Sequence, residues 1–106
     1  DTLVFAFFSK EEVKTLNIKY LSHNYYTDVI SFDDSENNVL SGNIAISPEI
    51  VSENAKNYSV AFNNELNRVM IHGVLHFMGY RDSTEEEIKT MRNKENEALK
   101  MFHVKQ

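Results

Sequence analysis

The sequence predicts an α+β domain, a small mixed β-sheet packed with helices, with a metal site at the end of a long central helix. Three observations predict it. Apolar residues change from strand-like to helix-like spacing in the order β-α-β-β-α-α-α. A proline-free stretch at residues 64–78 is long enough for about four helical turns. Its last turns carry two histidines four residues apart, with a glycine and an aspartate just beyond. At 106 residues the chain suits one domain with a modest core, and no repeat, low-complexity tract or linker divides it.

Each element has a local cause. Residues 2–8 are apolar almost throughout, the pattern of a buried strand. Ser9 and Glu12 have capping-box spacing, and Val13, Leu16 and Tyr20 then fall on one helical face. A polar, aromatic connector at 22–26 leads to a second strand at 27–32, TDVISF. After a polar turn at 33–38, Leu40, Gly42, Ile44 and Ile46 alternate as a third strand. Ser47-Pro48 opens a helix, because proline at the first helical position gives up no needed N–H. That helix fades near 58–64, where Asn63 and Asn64 offer caps for the long helix at 64–78. Gly79 suits its left-handed C-terminal cap. Ser83 and Glu86 repeat the capping-box spacing before a last helix striped by Ile88, Met91, Ala98, Leu99 and Phe102.

Composition removes several function classes. No cysteine is present, so disulfides and thiolate ligands are excluded, which is compatible with a reducing cytoplasm. No apolar run approaches the ~20 residues needed to span a bilayer, and residues 3–8 lack the features of a signal peptide. No membrane partner is expected. The formal net charge of −5 argues against a broad phosphate-binding surface. A nucleic-acid role therefore needs a local patch, for which Lys10, Lys14, Lys19, Arg68 and Arg81 are the candidates. The chain begins with Asp1 rather than Met, directly before a strand-like run, which raises the expectation of processing, an engineered boundary or a missing N-terminal segment.

The chemistry concentrates in HGVLHFMGYRD. His72 and His76 project from one helical face and can reach one cation. The turn at Gly79 can return Asp82 to the pair, ten residues after the first histidine. Two neutral nitrogens and a carboxylate suit a single zinc ion and leave a coordination position free for water or substrate. With this set a Zn²⁺ site stands near +1, where three histidines would leave it near +2. A plainer arrangement fits the same residues: a core histidine pair, with Asp82 opening the last helix favourably at its N-terminus.

Gly73 stands where HExxH peptidases place their glutamate base, so a peptidase would lack its acid–base residue. Its expected use is close packing of the helix on a neighbour. Glu65 and Arg68 share the metal-facing sector. Arg68 is the candidate catalytic residue, clamping a phosphate or stabilising its developing charge, with a salt bridge to Glu65 as the competing explanation. Glu65 can alternatively order a ligand histidine. Glu95 interrupts the apolar stripe of the last helix and can approach the site, a solvated rim being the preferred expectation. His23 and His103 lack ligand spacing and are expected at the surface, with His23 able to line a substrate groove.

These residues resemble the YbeY family of bacterial ribosomal-RNA maturation endoribonucleases, whose pattern is HGxLHxxGYxH after an E-L-x-R-type segment. Here that segment is Glu65-Leu66-Asn67-Arg68. The resemblance extends to TDVISF at 27–32 and GNIAIS at 42–47. It implies a zinc-bound α+β fold and a single-strand-specific endoribonuclease of the cytoplasm, acting in ribosomal-RNA maturation and ribosome quality control. Single-stranded or ribosomal RNA, and the ribosome or a ribosome-associated protein, are the implied partners. The first two zinc ligands carry over to His72 and His76, while the third position, usually histidine, is Asp82. Asn43 replaces the aspartate of the family's G-D-[IL] segment. Tyr20-Leu21-Ser22-His23 lacks the connector arginine of many members, and a further N-terminal strand and helix usual in the family are missing. The rival functions are a ribosome-associated assembly factor with a mainly structural metal and, third, a zinc peptidase.

Overall fold

The structure, a computed structural model, describes residues 2–36, 39 and 41–104. Its order is β1 (Thr2–Phe7), α1 (Lys10–Leu21), β2 (Val29–Asp33), β3 (Ser41–Ile46), α2 (Pro48–Asn57), α3 (Phe62–Phe77) and α4 (Glu85–Val104). This is the expected sequence of elements. Asp1, Leu40 of the expected third strand, and the side chains of Phe102 and His103 lie outside the described residues.

The sheet order is β1-β3-β2, with β1 parallel and β2 antiparallel to β3, so the sheet is small and mixed as expected. The two strand patterns exchange their burial. The apolar run of β1 is only half-buried, with Val4 and Phe7 exposed, because this strand pairs with β3 alone among the described residues. β3 was expected to alternate, yet Ile44, Ala45 and Ile46 are all buried, because it is the central strand. Ile44 and Ile46 join Val51, Val69 and Phe77 in the core. Burying such branched and aromatic side chains contributes about 1.5–3 kcal/mol each.

Most helix ends follow the sequence signals. Ser9 and Glu12 form the reciprocal capping box of α1. The Ser47 hydroxyl accepts from the Ile50 N–H ahead of Pro48. At the end of α3, Gly79 (φ 98°) donates to the His76 carbonyl and Tyr80 to that of Leu75, closing a Schellman motif. Two starts differ. α3 begins from Ala61, which is extended and makes no side-chain cap, so Asn63 and Asn64 already lie in its first turn. The left-handed Ser59 and the Val60 N–H bond to the Ala55 carbonyl break the chain earlier than the asparagines suggested. In the last start the capping box is Thr84 with Glu87, one residue beyond Ser83 and Glu86. The run STEEE offers both registers, and the structure uses the second.

Two glycines set how α3 seats on the sheet. A Cβ at Gly73 would meet Ile44 methyl carbons at 3.1 Å, so the absent side chain does permit close helix–sheet packing. A Cβ at Gly42 would stand 2.3 Å from the Phe32 carbonyl oxygen and 2.4 Å from the Phe77 ring. Phe77 directly follows His76, so Gly42 fixes the end of the helix that carries the histidines. Gly42→Ala should lower unfolding free energy by about 1–3 kcal/mol, or more where backbone must move. Urea denaturation checks this, and a stability equal to wild type would contradict it.

Candidate metal centre

α3 presents His72 and His76 from its last two turns, and the Schellman turn brings Asp82 back over them. The imidazole Nε2 atoms of His72 and His76 are 3.0 Å apart. Asp82 Oδ2 lies 3.3 Å from the first and 3.6 Å from the second. Donors held tetrahedrally at ~2.0–2.1 Å from zinc stand roughly 3.4 Å from one another. The three separations bracket that value, and two basic nitrogens facing a carboxylate are a set that a cation satisfies. These three residues can therefore hold a metal ion. Both histidines are part-buried, whereas Asp82 is exposed, leaving an approach open from solvent.

Behind the triad lies a carboxylate for which the sequence favoured the wrong one of two positions. Glu95 of α4 is 4% exposed, not at a solvated rim. His72 Nδ1 donates to its Oε2 at 2.7 Å, and Arg68 donates to its Oε1 at 2.9 Å. The ion pair expected between Arg68 and Glu65 thus forms with Glu95 instead, because Arg68 reaches across to α4, where Asn96 accepts a second bond at 2.9 Å. Glu95 also takes the part of ordering His72 that Glu65 was considered for. The signal was visible as a charge interrupting the stripe of α4, but only packing shows that it faces inward.

The electrostatics follow. Burial pushes the Glu95 carboxyl up, and the hydrogen bonds from His72 and Arg68 more than offset it, leaving its pKa below the ordinary value. Burial pulls the His72 imidazole down, but the bond and charge of Glu95, then Asp82 and Asp28, together hold it above the ordinary value. Burial, followed by the charge of Asp28, pushes Glu65 up.

Asp28 is a second residue that sequence reasoning passed over. It was placed inside the strand TDVISF, but β2 starts at Val29 and leaves Asp28 in the connector. Burial raises its pKa, and Asn54 donates to its Oδ2 at 3.3 Å. An aspartate at the head of a strand-like run, where strands disfavour it, was the available clue. Asp28 borders two grooves that meet at His72 and Asp82. One, about 510 Å³, runs past His72 and His76 to His23 and Tyr25. The other, about 360 Å³, is bordered by Glu65, Arg68, Arg92 and Glu95. His23, expected at the surface with a groove as the lesser possibility, is exposed and lines the first groove.

The family model described as Endoribonuclease YbeY matches residues 2–103. The chain belongs to the YbeY family. It is 49% identical over 102 residues to the endoribonuclease YbeY of Christiangramia forsetii, spanning 96% of this chain and 71% of that protein. It is 44% identical over 102 residues to that of Flavobacterium johnsoniae, spanning 96% and 73%. A solution structure of TM1509 from Thermotoga maritima superposes with a TM-score of 0.62 at 30% identity, over 97% of this chain and 71% of that one. The resemblance read from HGVLHFMGYRD is thereby borne out, with Asp82 of this chain standing where the YbeY pattern was expected to end in histidine.

Glu95→Gln tests the carboxylate behind His72. Its removal should weaken metal binding about 10–100-fold at neutral pH. In wild type, metal must displace the proton favoured on His72, so affinity falls as pH drops through its raised pKa. The variant loses that support, and its pH midpoint should move down. Competition with a chromophoric chelator measures both, and equal affinities with equal midpoints would contradict the arrangement.

Proposed function

We propose that this chain is a metal-dependent endoribonuclease that cleaves single-stranded RNA, with one zinc ion held by His72, His76 and Asp82. The observation that supports this most is the triad's spacing, with donor atoms 3.0, 3.3 and 3.6 Å apart at the meeting point of two open grooves. The relatives' name, endoribonuclease YbeY, directs that chemistry to RNA. Ribosomal-RNA maturation in the cytoplasm is the proposed setting, with the ribosome or a ribosome-associated protein delivering substrate to an acidic chain of net charge −5. No helix among the described residues is long and apolar enough to cross a membrane.

When bound, zinc supplies Lewis-acid polarisation of a phosphate oxygen and activation of water. The chain's own residues do the positioning. Glu95 fixes the orientation of His72, leaving its Nε2 towards the triad. Arg68 holds Glu95 and Asn96 with two of its five N–H donors. Its proposed contact with the substrate phosphate uses the others, on the side that borders the second groove. Gly73 carries no carboxylate to serve as a peptidase base, and its place is taken up by contact with Ile44.

Zinc-loaded wild type should cut a single-stranded oligoribonucleotide, and His76→Ala, verified as folded by circular dichroism, should be at least about 100-fold slower. Gel analysis of end-labelled RNA reads both. Equal cleavage by the two would contradict the enzyme and favour an assembly factor whose metal is structural.

A further inference from the structure

The connector between α1 and β2 is fixed more firmly than a loop needs to be. α1 ends in the left-handed Ser22 (φ 57°), and the Ser22 and His23 N–H groups return to the Ile18 and Asn17 carbonyls, each at 3.1 Å. Asn17, 1% exposed, donates its side-chain amide to the Tyr25 carbonyl at 3.1 Å. The backbone on both sides of His23 and Tyr25 is therefore tied to α1. On it the two rings stack, with centroids 5.3 Å apart and planes 18° from parallel. The Tyr25 hydroxyl and His23 Nδ1 are hydrogen-bonded at 2.9 Å. Yet Tyr25 is 53% exposed, so this aromatic pair is not core.

The pair lines the same groove as His72, His76 and Asp82. Next along the chain, the exposed Tyr26 ring has the Lys14 and Lys10 ammonium groups 4.5 and 5.6 Å from its centre, with Lys10 also 4.0 Å from Glu53. Neither Tyr26 nor these two lysines line the groove. Fixed, exposed aromatic faces are what single-stranded nucleic acid binds, since every base has a face to stack. The charge balance favours stacking over phosphate neutralisation. Asp28, Asp33 and Asp82 border this groove, and phosphate contacts alone would meet their repulsion.

We propose that the stacked His23–Tyr25 pair is a nucleobase-docking platform that seats single-stranded RNA in the groove leading to the triad. This rests on the endoribonuclease function proposed above and adds the subsite that holds the strand. The exposed ring face of the pair stacks on a base of the strand. Preference for single strands results, because a paired base has no free face to offer.

The test compares metal-loaded wild type with Tyr25→Ala and Tyr25→Phe on single-stranded oligouridylate, and on a ribose-phosphate chain of equal length without bases. Tyr25→Ala should raise KM for oligouridylate about tenfold while kcat falls far less. Tyr25→Phe keeps the ring and should recover most of that loss. Wild type and Tyr25→Ala should bind the base-free chain equally, which a loosened connector would not allow. Equal KM values of wild type and Tyr25→Ala on oligouridylate would overturn the platform and leave the endoribonuclease standing. A loss for Tyr25→Ala of the same size on the base-free chain would also overturn it, assigning the pair to connector structure. Failure of wild type to bind or cut oligouridylate would overturn both.

Discussion

The hydrogen bond from His72 Nδ1 to the buried Glu95 carboxylate, 2.7 Å long, ties the packing of this protein to its chemistry. An ionised carboxylate buried without partners is costly, and removing one member of a buried pair typically costs about 3–5 kcal/mol. Glu95 is met at hydrogen-bond distance by Arg68 and His72, both on α3, with Arg92 of its own helix more distant at 3.8 Å. The contact between α3 and α4 and the orientation of one imidazole are thus a single requirement. With Nδ1 committed, only Nε2 of His72 remains to face His76 and Asp82.

The rest of the fold serves to hold α3 at one height and one rotation. Its middle is pressed on Ile44 of the central strand through Gly73, and its end is seated by the Phe77 ring over Gly42. Its C-terminal Schellman turn sends the chain back, so that Asp82 arrives on the open side of the histidines while Glu95 closes the buried side. One imidazole is thereby gripped from behind by protein and approached from in front by solvent, which separates orientation from reaction. The acidic surroundings, Asp28 and Glu65 among them, favour a cation at the centre. Asp28, Asp33 and Asp82 oppose a free phosphate chain along the first groove, while Arg68 and Arg92 border the second.

Local features were the most legible in the sequence. Ser9 with Glu12, Ser47-Pro48 and Gly79 act within one or two turns of themselves, and all three appear as their chemistry requires. The histidine pair was legible for the same reason, since four-residue spacing on a helix is itself geometry. Features decided by neighbours were not. The apolar composition of β1 did not disclose that, among the described residues, it pairs with β3 alone, and the alternation in β3 did not disclose cover on both faces. Glu95 lies 23 residues from His72, and no pattern in α4 specifies which helix will lie against it. Asp28 was concealed by a strand boundary two residues out of place.

Nitrogen NMR of histidine-labelled protein loaded with cadmium-113 reads the arrangement around His72 directly. Metal coupling is expected at the Nε2 atoms of both His72 and His76, with His72 Nδ1 protonated and its proton shifted by the bond to Glu95. Coupling through His72 Nδ1, or no coupling to either histidine, would contradict it.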